Sequence, residues 1–187
     1  RPSDPRGFAE FGAAVSIDAG VAVIGEGGIN CPFVRGCGSA YVFRGCGFEE
    51  QRLVTPDHVA GDGLGESVAV NGNVAVLGAS RSDCSPQVQR CGTAYVYRFN
   101  GLRWILEKTL TASTRSGGAA FGRSVSVSGN VTVVAAATLV YVYRFNGSDW
   151  IEEQQLTTSG ASVAVNGDVI GVVASGAVNN YRYNGQS

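Results

Sequence analysis

Cysteine is the residue type whose spacing most directly indicates chemistry in this sequence. Cys37 and Cys91 lie in matching segments, GCGSAYV and RCGTAYV, and each has a second cysteine shortly before it, Cys31 and Cys84. Matched local pairs predict two disulfides, Cys31–Cys37 and Cys84–Cys91, of the kind found in secreted proteins. Metal binding is the alternative, although the ligand spacing and histidine partners of such sites are missing. Cys46 is left over, either as a free thiol or as a link to another chain.

Groups suited to catalysis are sparse. His58 is the only histidine, and no GxSxG segment supplies a nucleophile, so a Ser–His–Asp arrangement is not indicated. Two carboxylate pairs, Glu49-Glu50 and Glu152-Glu153, are of the kind that glycosidases use, yet they occupy the same position of two repeated segments. An active site needs one constellation, whereas repeated carboxylates are typical of exposed strand edges. We therefore expect no catalytic residues, no cofactor and no enzymatic activity.

Two features could involve carbohydrate. Trp104 and Trp150 share one position of the repeated segments, and four tyrosines share two others, namely Tyr95, Tyr97, Tyr141 and Tyr143. Such rings can stack on sugars, but packing between structural repeats is the favoured interpretation. Two N-x-[ST] sequences, at Asn130 and Asn146, predict glycosylation in or beside tight turns, and Asn146 is the preferred site.

The composition argues against several classes of partner. The chain has 14 basic and 15 acidic residues, a net charge of −1 and no basic cluster, which argues against nucleic-acid binding. No apolar stretch is long enough to cross a bilayer. Hydrophobic residues make up 44% of the chain, and its 27 glycines suit many short strands joined by tight turns. Methionine is absent, even at position 1, so we expect a processed product or a piece of a longer chain.

The elements that must position these residues are four copies of one segment. It occurs as FGAAVSIDAGVAVIGEG from Phe11, LGESVAVNGNVAVLGAS from Leu64, FGRSVSVSGNVTVVAAA from Phe121 and SGASVAVNGDVIGVVAS from Ser159. Each copy is followed by a second segment: SAYVFRGCG, TAYVYRFNG, LVYVYRFNG or VNNYRYNG. Repetition at such intervals is typical of folds that place one supersecondary unit beside the next. We predict one domain over 1–187, with repeats of approximately 11–63, 64–120, 121–158 and 159–187.

Each copy predicts up to four antiparallel strands. In the second copy these are residues 66–70, 73–80, 92–99 and 102–112, with tight turns at Asn71-Gly72 and Asn100-Gly101. Corresponding turns are expected at Ala19-Gly20, Ser128-Gly129 and Asn166-Gly167. The fourth copy stops where its fourth strand should begin. The predicted fold is therefore all-β: a β-propeller built of four-stranded antiparallel blades, about four repeats long, with the last blade incomplete.

The repeats resemble the FG-GAP repeats of integrin-α-type β-propellers. The segments FGRSVSVSGNVTVV, GNVAVLGAS and GTAYVYRFNGLRWILEKTLTA carry the resemblance, which covers about residues 11–185. It implies a propeller blade but no single activity, because propellers serve as adhesion modules, lectins and accessory domains of enzymes. Integrin-type repeats often carry an Asp-rich calcium loop, which two-residue turns replace here, so no metal is expected. Asp57 and Asp62 are interpreted as ordinary turn residues.

These observations predict a non-catalytic extracellular module, secreted or at the cell surface, with a structural or adhesive role. An unfinished blade leaves a strand edge with unpaired backbone groups, and another strand can pair with that edge. The expected partners are further copies of the chain or other cell-surface or matrix proteins, with glycans as a further candidate. A carbohydrate-binding, lectin-like propeller is the alternative function. Nucleic-acid binding and membrane insertion are not expected.

Overall fold

A computed structural model describes residues 11–28, 36–45, 48–55, 62–157, 162–174 and 176–182. These residues form fifteen β-strands. No helix suited to crossing a membrane occurs in this part of the chain. The strands are β1 (Phe11–Asp18), β2 (Val21–Glu26), β3 (Ser39–Arg44), β4 (Phe48–Leu53), β5 (Ser67–Asn71), β6 (Val74–Ala79), β7 (Thr93–Phe99), β8 (Trp104–Leu110), β9 (Ser124–Ser128), β10 (Val131–Ala135), β11 (Leu139–Phe145), β12 (Trp150–Thr157), β13 (Ser162–Asn166), β14 (Val169–Ala174) and β15 (Ala177–Arg182).

The strands form four antiparallel sheets, each made of strands that are consecutive in the chain. Blade 1 contains β1–β4, blade 2 contains β5–β8, blade 3 contains β9–β12 and blade 4 contains β13–β15. The first strands contact one another in the order β1, β5, β9 and β13, which arranges the sheets around a common centre. The predicted all-β propeller is confirmed, and so is its incomplete last blade, which has three strands among the described residues.

The turns between the first and second strands of the blades differ in part from the prediction. Ala19-Gly20 forms the turn of blade 1 as predicted, with positive φ angles of 48° and 78°. In blade 2, however, Asn71 is the last residue of β5, so the turn is Gly72-Asn73 rather than Asn71-Gly72. The same shift by one residue occurs in blades 3 and 4. Only Gly72 of the blade 2 turn has a positive φ, 57°. Glycine adopts this angle without steric cost, so the asparagine remains in the strand.

Hydrophobic side chains fill the spaces between neighbouring blades, which we call seams. Seam 1–2, between blades 1 and 2, contains Val21 and Val23 opposite Ala75 and Leu77. Seams 2–3 and 3–4 repeat this arrangement. Successive side chains of a strand point to opposite faces, so an inner blade needs apolar residues at both the odd and the even positions. All six residues of β6 are buried for this reason.

Glycines bring the backbones of adjacent blades into direct contact at two seams. A Cβ atom on Gly25 would collide with the carbonyl oxygen of Gly65, and one on Gly78 would collide with the carbonyl oxygen of Gly122. These are equivalent positions of seams 1–2 and 2–3. Any larger residue would push the blades apart, and glycine alone lacks the Cβ atom. The close approach accounts for the glycine that follows the first residue of the second and third repeated segments, because a Cβ atom on Gly65 or Gly122 would also collide with the neighbouring blade.

The repeated aromatic residues are buried, as the favoured interpretation predicted. Trp104 and Trp150 are 2% and 3% exposed. Each packs on the phenylalanine that ends the preceding strand, with ring centroids 5.6 Å apart for Phe99 and Trp104 and 5.4 Å apart for Phe145 and Trp150. The four repeated tyrosines are buried as well. Rings buried to this degree offer no free face to a sugar, so packing between repeats is confirmed.

Candidate functional site

Two of the cysteines predicted to pair are joined in the structure. Cys84 and Cys91 form a disulfide with their Cα atoms 5.8 Å apart, and it ties the connection between β6 and β7. Cys37 is also disulfide-bonded, but its predicted partner Cys31 lies outside the described residues. The leftover Cys46 lies outside them too. A cross-link within a loop restricts the unfolded chain and so favours the folded state.

The residues weighed for catalysis or metal binding do not come together among the described residues. That part of the chain contains no group of three or more His, Cys, Asp or Glu side chains placed to hold a metal. Asp62 is 4% exposed, in the connection between blades 1 and 2. Asp57 and His58 lie outside the described residues.

Both predicted glycosylation sites lie in exposed turns. Asn130 is in the turn between β9 and β10, and Asn146 is in the turn between β11 and β12. The Asn146 side-chain oxygen accepts hydrogen bonds from the backbone N–H groups of Ser148 and Asp149, each 2.9 Å long. Asparagine commonly stabilises a turn in this way. The side chains are reachable from solvent, and glycosylation of either stays a prediction.

The carboxylates of the fourth strands form a repeated ion pair. An arginine near the end of the third strand contacts a glutamate on the fourth in every complete blade. The pairs are Arg44–Glu50 (3.0 Å), Arg98–Glu107 (2.5 Å) and Arg144–Glu153 (3.1 Å). In blade 4 the equivalent Arg182 lies 3.5 Å from Asp168 instead. A contact that recurs in each blade is part of the blade's structure, so Glu50 and Glu153 have a structural role. Glu152, the neighbour of Glu153, lies instead at seam 2–3.

A polar groove of about 310 Å³ lies along seam 2–3, between the fourth strand of blade 2 and blade 3. Its lining includes Lys108, Thr111, Ser113, Arg115, Tyr143 and Glu152. The Glu152 carboxylate accepts hydrogen bonds from Ser113 (2.6 Å), Gln155 (2.7 Å) and Tyr143 (3.3 Å). These protein donors already occupy the Glu152 carboxylate. It therefore holds the two blades together at this seam and is not a free general base.

Two groups at this seam have shifted pKa values. Burial raises the pKa of the Tyr143 hydroxyl above its usual value, and the neighbouring Glu152 carboxylate raises it further. The Lys108 ammonium, 2.7 Å from Asp149, lowers the pKa of that carboxyl, and the backbone N–H of Trp150 adds to the effect. Near neutral pH the tyrosine is therefore a hydrogen-bond donor, and the lysine and aspartate form an ion pair across the seam.

A ladder of polar side chains joins the first strands across all three seams. The residue before each turn, which we call the turn acceptor, is Asp18, Asn71, Ser128 or Asn166 in blades 1 to 4. In blades 1 to 3 it accepts a hydrogen bond from the glycine N–H of the next blade's turn. The bonds are Gly72 to Asp18 (2.6 Å), Gly129 to Asn71 (2.7 Å) and Gly167 to Ser128 (3.0 Å). No motif pointed to this ladder, but the aligned copies carry a signal: every copy has a short oxygen-bearing side chain here.

The third strand of blade 4 is a free edge among the described residues. In blade 3 the equivalent strand, β11, pairs with β10 on one side and β12 on the other. By contrast, β15 pairs with β14 alone. Five of its six residues are exposed. Such an edge presents a row of unpaired backbone N–H and C=O groups. The rest of blade 4 is built like its neighbours.

The repeat sequence identifies the family. The family model of the FG-GAP repeat matches residues 48–97 and 104–143. The chain is an FG-GAP repeat β-propeller. The matched stretches run from β4 to β11, and the predicted resemblance is thereby confirmed. A comparison with curated proteins finds no significant match to this FG-GAP chain.

Solved structures show the same architecture at low sequence identity. The yeast protein KlHsv2, with its loop 6CD replaced by a Gly-Ser linker, has a TM-score of 0.56 and 9% identity over 93% of this chain and 49% of its own. KlAtg21, in a complex with the coiled coil of AgAtg16, has a TM-score of 0.60 and 14% identity over 91% of this chain and 52% of its own. At these identities the likeness concerns the fold alone. The FG-GAP chain spans about half the length of either neighbour.

Proposed function

We propose that the chain is a non-catalytic extracellular module with a structural or adhesive role, which associates with other copies or with cell-surface or matrix proteins through the edge of blade 4. The observation that carries this proposal is that β15 pairs with β14 alone in the part of the chain that the structure describes. A strand that joins such an edge gains main-chain hydrogen bonds, and its alternate side chains set the register. The repeated ion pairs of the other blades support a non-catalytic role, because they assign the carboxylates to structure.

The hydrogen-bond pattern of blade 3 indicates which residues of β15 face the open side. Phe145 donates its N–H to the carbonyl of Asn130 at 2.8 Å, so alternate residues of β11 from Phe145 backwards point to β10. The residues between them point to β12. Their equivalents in β15 are Val178, Asn180 and Arg182. These three residues therefore offer the N–H and C=O groups that a partner strand would use.

Two features support an extracellular location. The Cys84–Cys91 disulfide is of a kind that persists in oxidising compartments and is rare in the cytosol. The sequences at Asn130 and Asn146 lie in exposed turns, where a glycan could be attached without disturbing a strand. The lectin-like alternative has no support from the aromatic rings that suggested it, because they are buried in the seams.

A proline at position 180 tests the proposal. Proline has no N–H and cannot accept a strand at that point, yet it is tolerated at strand edges. Light scattering after size-exclusion chromatography would measure association of the wild type, Asn180→Pro and the control Asn180→Ala over a range of concentrations. We expect the wild type and the alanine variant to associate and the proline variant to do so at least 10-fold more weakly, with unchanged circular dichroism. Equal association of the two variants would overturn pairing through β15.

A further inference from the structure

Blades 1 and 4 are the two ends of an arc of contacting blades, and the outer face of blade 1 carries apolar residues at the positions that form a seam in blade 2. Val15 and Ile17 of β1 are 67% and 74% exposed. The residues at the same repeat positions of blade 2, Val68 and Val70, are only 9% and 6% exposed, because blade 1 covers them. No described residues cover blade 1 in the same way. The part of this face formed by β1 therefore has the apolar side chains of a seam without the blade that completes it, whereas Tyr41 of β3 is buried.

The outer face of blade 4 shows the same property at the other end of the arc. Val173 and Val178 are 47% and 68% exposed. Their equivalents in blade 3, Ala135 and Val140, are completely buried against blade 4. Val173 and Val178 are partners across β14 and β15, so they form one contiguous apolar contact area on this face.

The two end faces also carry complementary halves of the polar ladder. Asn166 is the turn acceptor of blade 4, and no blade follows it among the described residues. At the other end, Ala19 occupies the turn position of blade 1 that corresponds to Gly72 in blade 2. In each formed seam the N–H at this position donates to the turn acceptor of the preceding blade. One end of the arc thus offers the acceptor and the other end offers the donor.

We propose that two copies of the chain close into one ring, in which the blade 4 face of each copy packs on the blade 1 face of the other. A two-fold axis along the centre of the propeller relates the copies, so both faces of both copies are used and the assembly is closed. The Asn166 side chain of one copy then accepts the Ala19 N–H of the other. Val173 and Val178 pack near Val15 and Ile17, as their equivalents do in the seams.

The complementarity of the two end faces favours a second copy as their occupant. Each face carries exposed apolar residues at seam positions, and one offers the hydrogen-bond acceptor that the donor of the other requires. A second copy also brings both required faces at once, whereas an unrelated partner would have to match each of them separately.

Ring closure goes beyond the proposed function because it uses a different surface. Closing the ring through the blade faces leaves the outer edge of β15 free. Pairing through that edge would then join rings into assemblies larger than a dimer. The two modes of association therefore predict different masses and respond to different substitutions.

The test is the mass of the full chain in solution, measured by sedimentation equilibrium from 1 to 100 μM. Ring closure alone predicts twice the chain mass for the wild type and the single chain mass for Ile17→Lys, with dimerisation at least 100-fold weaker. Pairing through β15 would add to the mass of the wild type, and Asn180→Pro removes that addition. Ile151→Lys is the matched control, because Ile151 is 44% exposed on β12, away from both end faces. Asn166→Ala is expected to weaken dimerisation about 10-fold. Circular dichroism checks that each variant folds.

The outcomes separate ring closure from edge pairing. A monomeric wild type at 100 μM, or a dimer that persists in Ile17→Lys, overturns ring closure. A dimer lost in Ile17→Lys but equal in Asn180→Pro and Asn180→Ala supports ring closure and counts against pairing through β15. Association that is lost in Asn180→Pro but kept in Asn180→Ala and Ile17→Lys supports pairing through β15 and counts against ring closure. Loss of the dimer in both Ile17→Lys and Ile151→Lys would show a general effect of the added charge. It would also overturn the assignment of the dimer contact to the faces of blades 1 and 4.

Discussion

Blades 3 and 4 are built from nearly the same segment but differ in what surrounds them. SVSVSGNV at 124–131 and SVAVNGDV at 162–169 differ at three positions. In blade 3 every residue of β10 is buried, whereas in blade 4 Val169 and Val173 of the equivalent strand are 39% and 47% exposed. A local segment therefore determines the strand and the hairpin, while burial depends on whether a blade follows.

Glycines of blade 2, which has a neighbour on both sides, and of blade 4 provide the largest expected contrast. In Gly78→Ala the new Cβ atom would meet the backbone of Gly122 in the next blade, and backbone atoms cannot move aside as a flexible side chain can. We expect a loss of roughly 3 kcal/mol in the free energy of unfolding, at the upper end of overpacking effects. Urea denaturation measures it.

Gly171→Ala in blade 4 is the matched control. Its Cβ atom would lie at ordinary contact distances, 3.6 Å from the Asn180 side chain and 3.9 Å from the Ala164 carbonyl. We expect a change within about 0.5 kcal/mol, as for surface substitutions in general. Similar losses for both variants would mean that the seam is not the cause.

A valine at one repeat position gives the second contrast. Val140 of β11 is completely buried, while Val178 of β15 is 68% exposed. Val140→Ala removes two buried methyl groups and leaves a cavity, so we expect a loss of about 2 kcal/mol. Val178→Ala should change the free energy of unfolding by less than about 0.5 kcal/mol in the monomer.

The same two valines also test whether a second copy covers the face of blade 4. If a second copy covers blade 4, the cost of Val178→Ala should grow with protein concentration, because dimerisation stabilises the folded state by mass action. Thermal melts of both variants at 1 and 100 μM measure this. A cost for Val178→Ala that stays constant would indicate that its face remains open.

The smallest expected effect concerns the charge at seam 2–3. Lys108→Gln removes the cation that lowers the pKa of Asp149, so that pKa should rise toward its ordinary value of about 3.9. A lowered pKa in the folded state adds stability above the ordinary pKa, and this contribution disappears as the pH falls through the lowered pKa. The variant should therefore melt slightly below the wild type at neutral pH and no longer do so at strongly acidic pH.

Seam 1–2 provides the internal reference for this prediction. Gln51 lies at the position of Lys108 and contacts the backbone of Trp104 through both its amide atoms, at 2.7 and 2.8 Å. Gln51→Ala should lower the melting temperature equally at neutral and acidic pH, because no charge is involved. Nuclear magnetic resonance titration of the Asp149 carboxyl gives the pKa directly. An unchanged pKa in Lys108→Gln would contradict the assigned cause.

Much of the fold was predictable because the repeats carry strong local signals. Alternation of apolar and polar residues located the strands of blade 2 to within one or two residues, and glycines marked the hairpins. The turns of blades 2 to 4 were predicted one residue early because an Asn-Gly or Ser-Gly pair suggested that both residues lie in the turn. In the structure the asparagine of blade 2 stays in the strand, where its side chain reaches the next blade.

The surfaces proposed for binding were predictable only in part. The missing fourth strand of the last copy pointed to the edge of β15. The exposed faces of blades 1 and 4 could not be predicted, because Val15 and Val68 have the same residue type and the same place in the repeat. Their exposures of 67% and 9% differ only through the presence of a preceding blade.

The strands, the four-fold repetition and the shortness of the final sheet could be predicted from the sequence, because each of these follows from periodicity and turn residues within a few dozen positions. The family was indicated by the resemblance of whole repeated segments. Tertiary structure alone decided which apolar faces are covered, which glycines touch a neighbouring backbone and which polar side chains bridge the first strands. Those features depend on distances between residues about 40 to 55 positions apart, and such distances exist only once the blades have packed against one another.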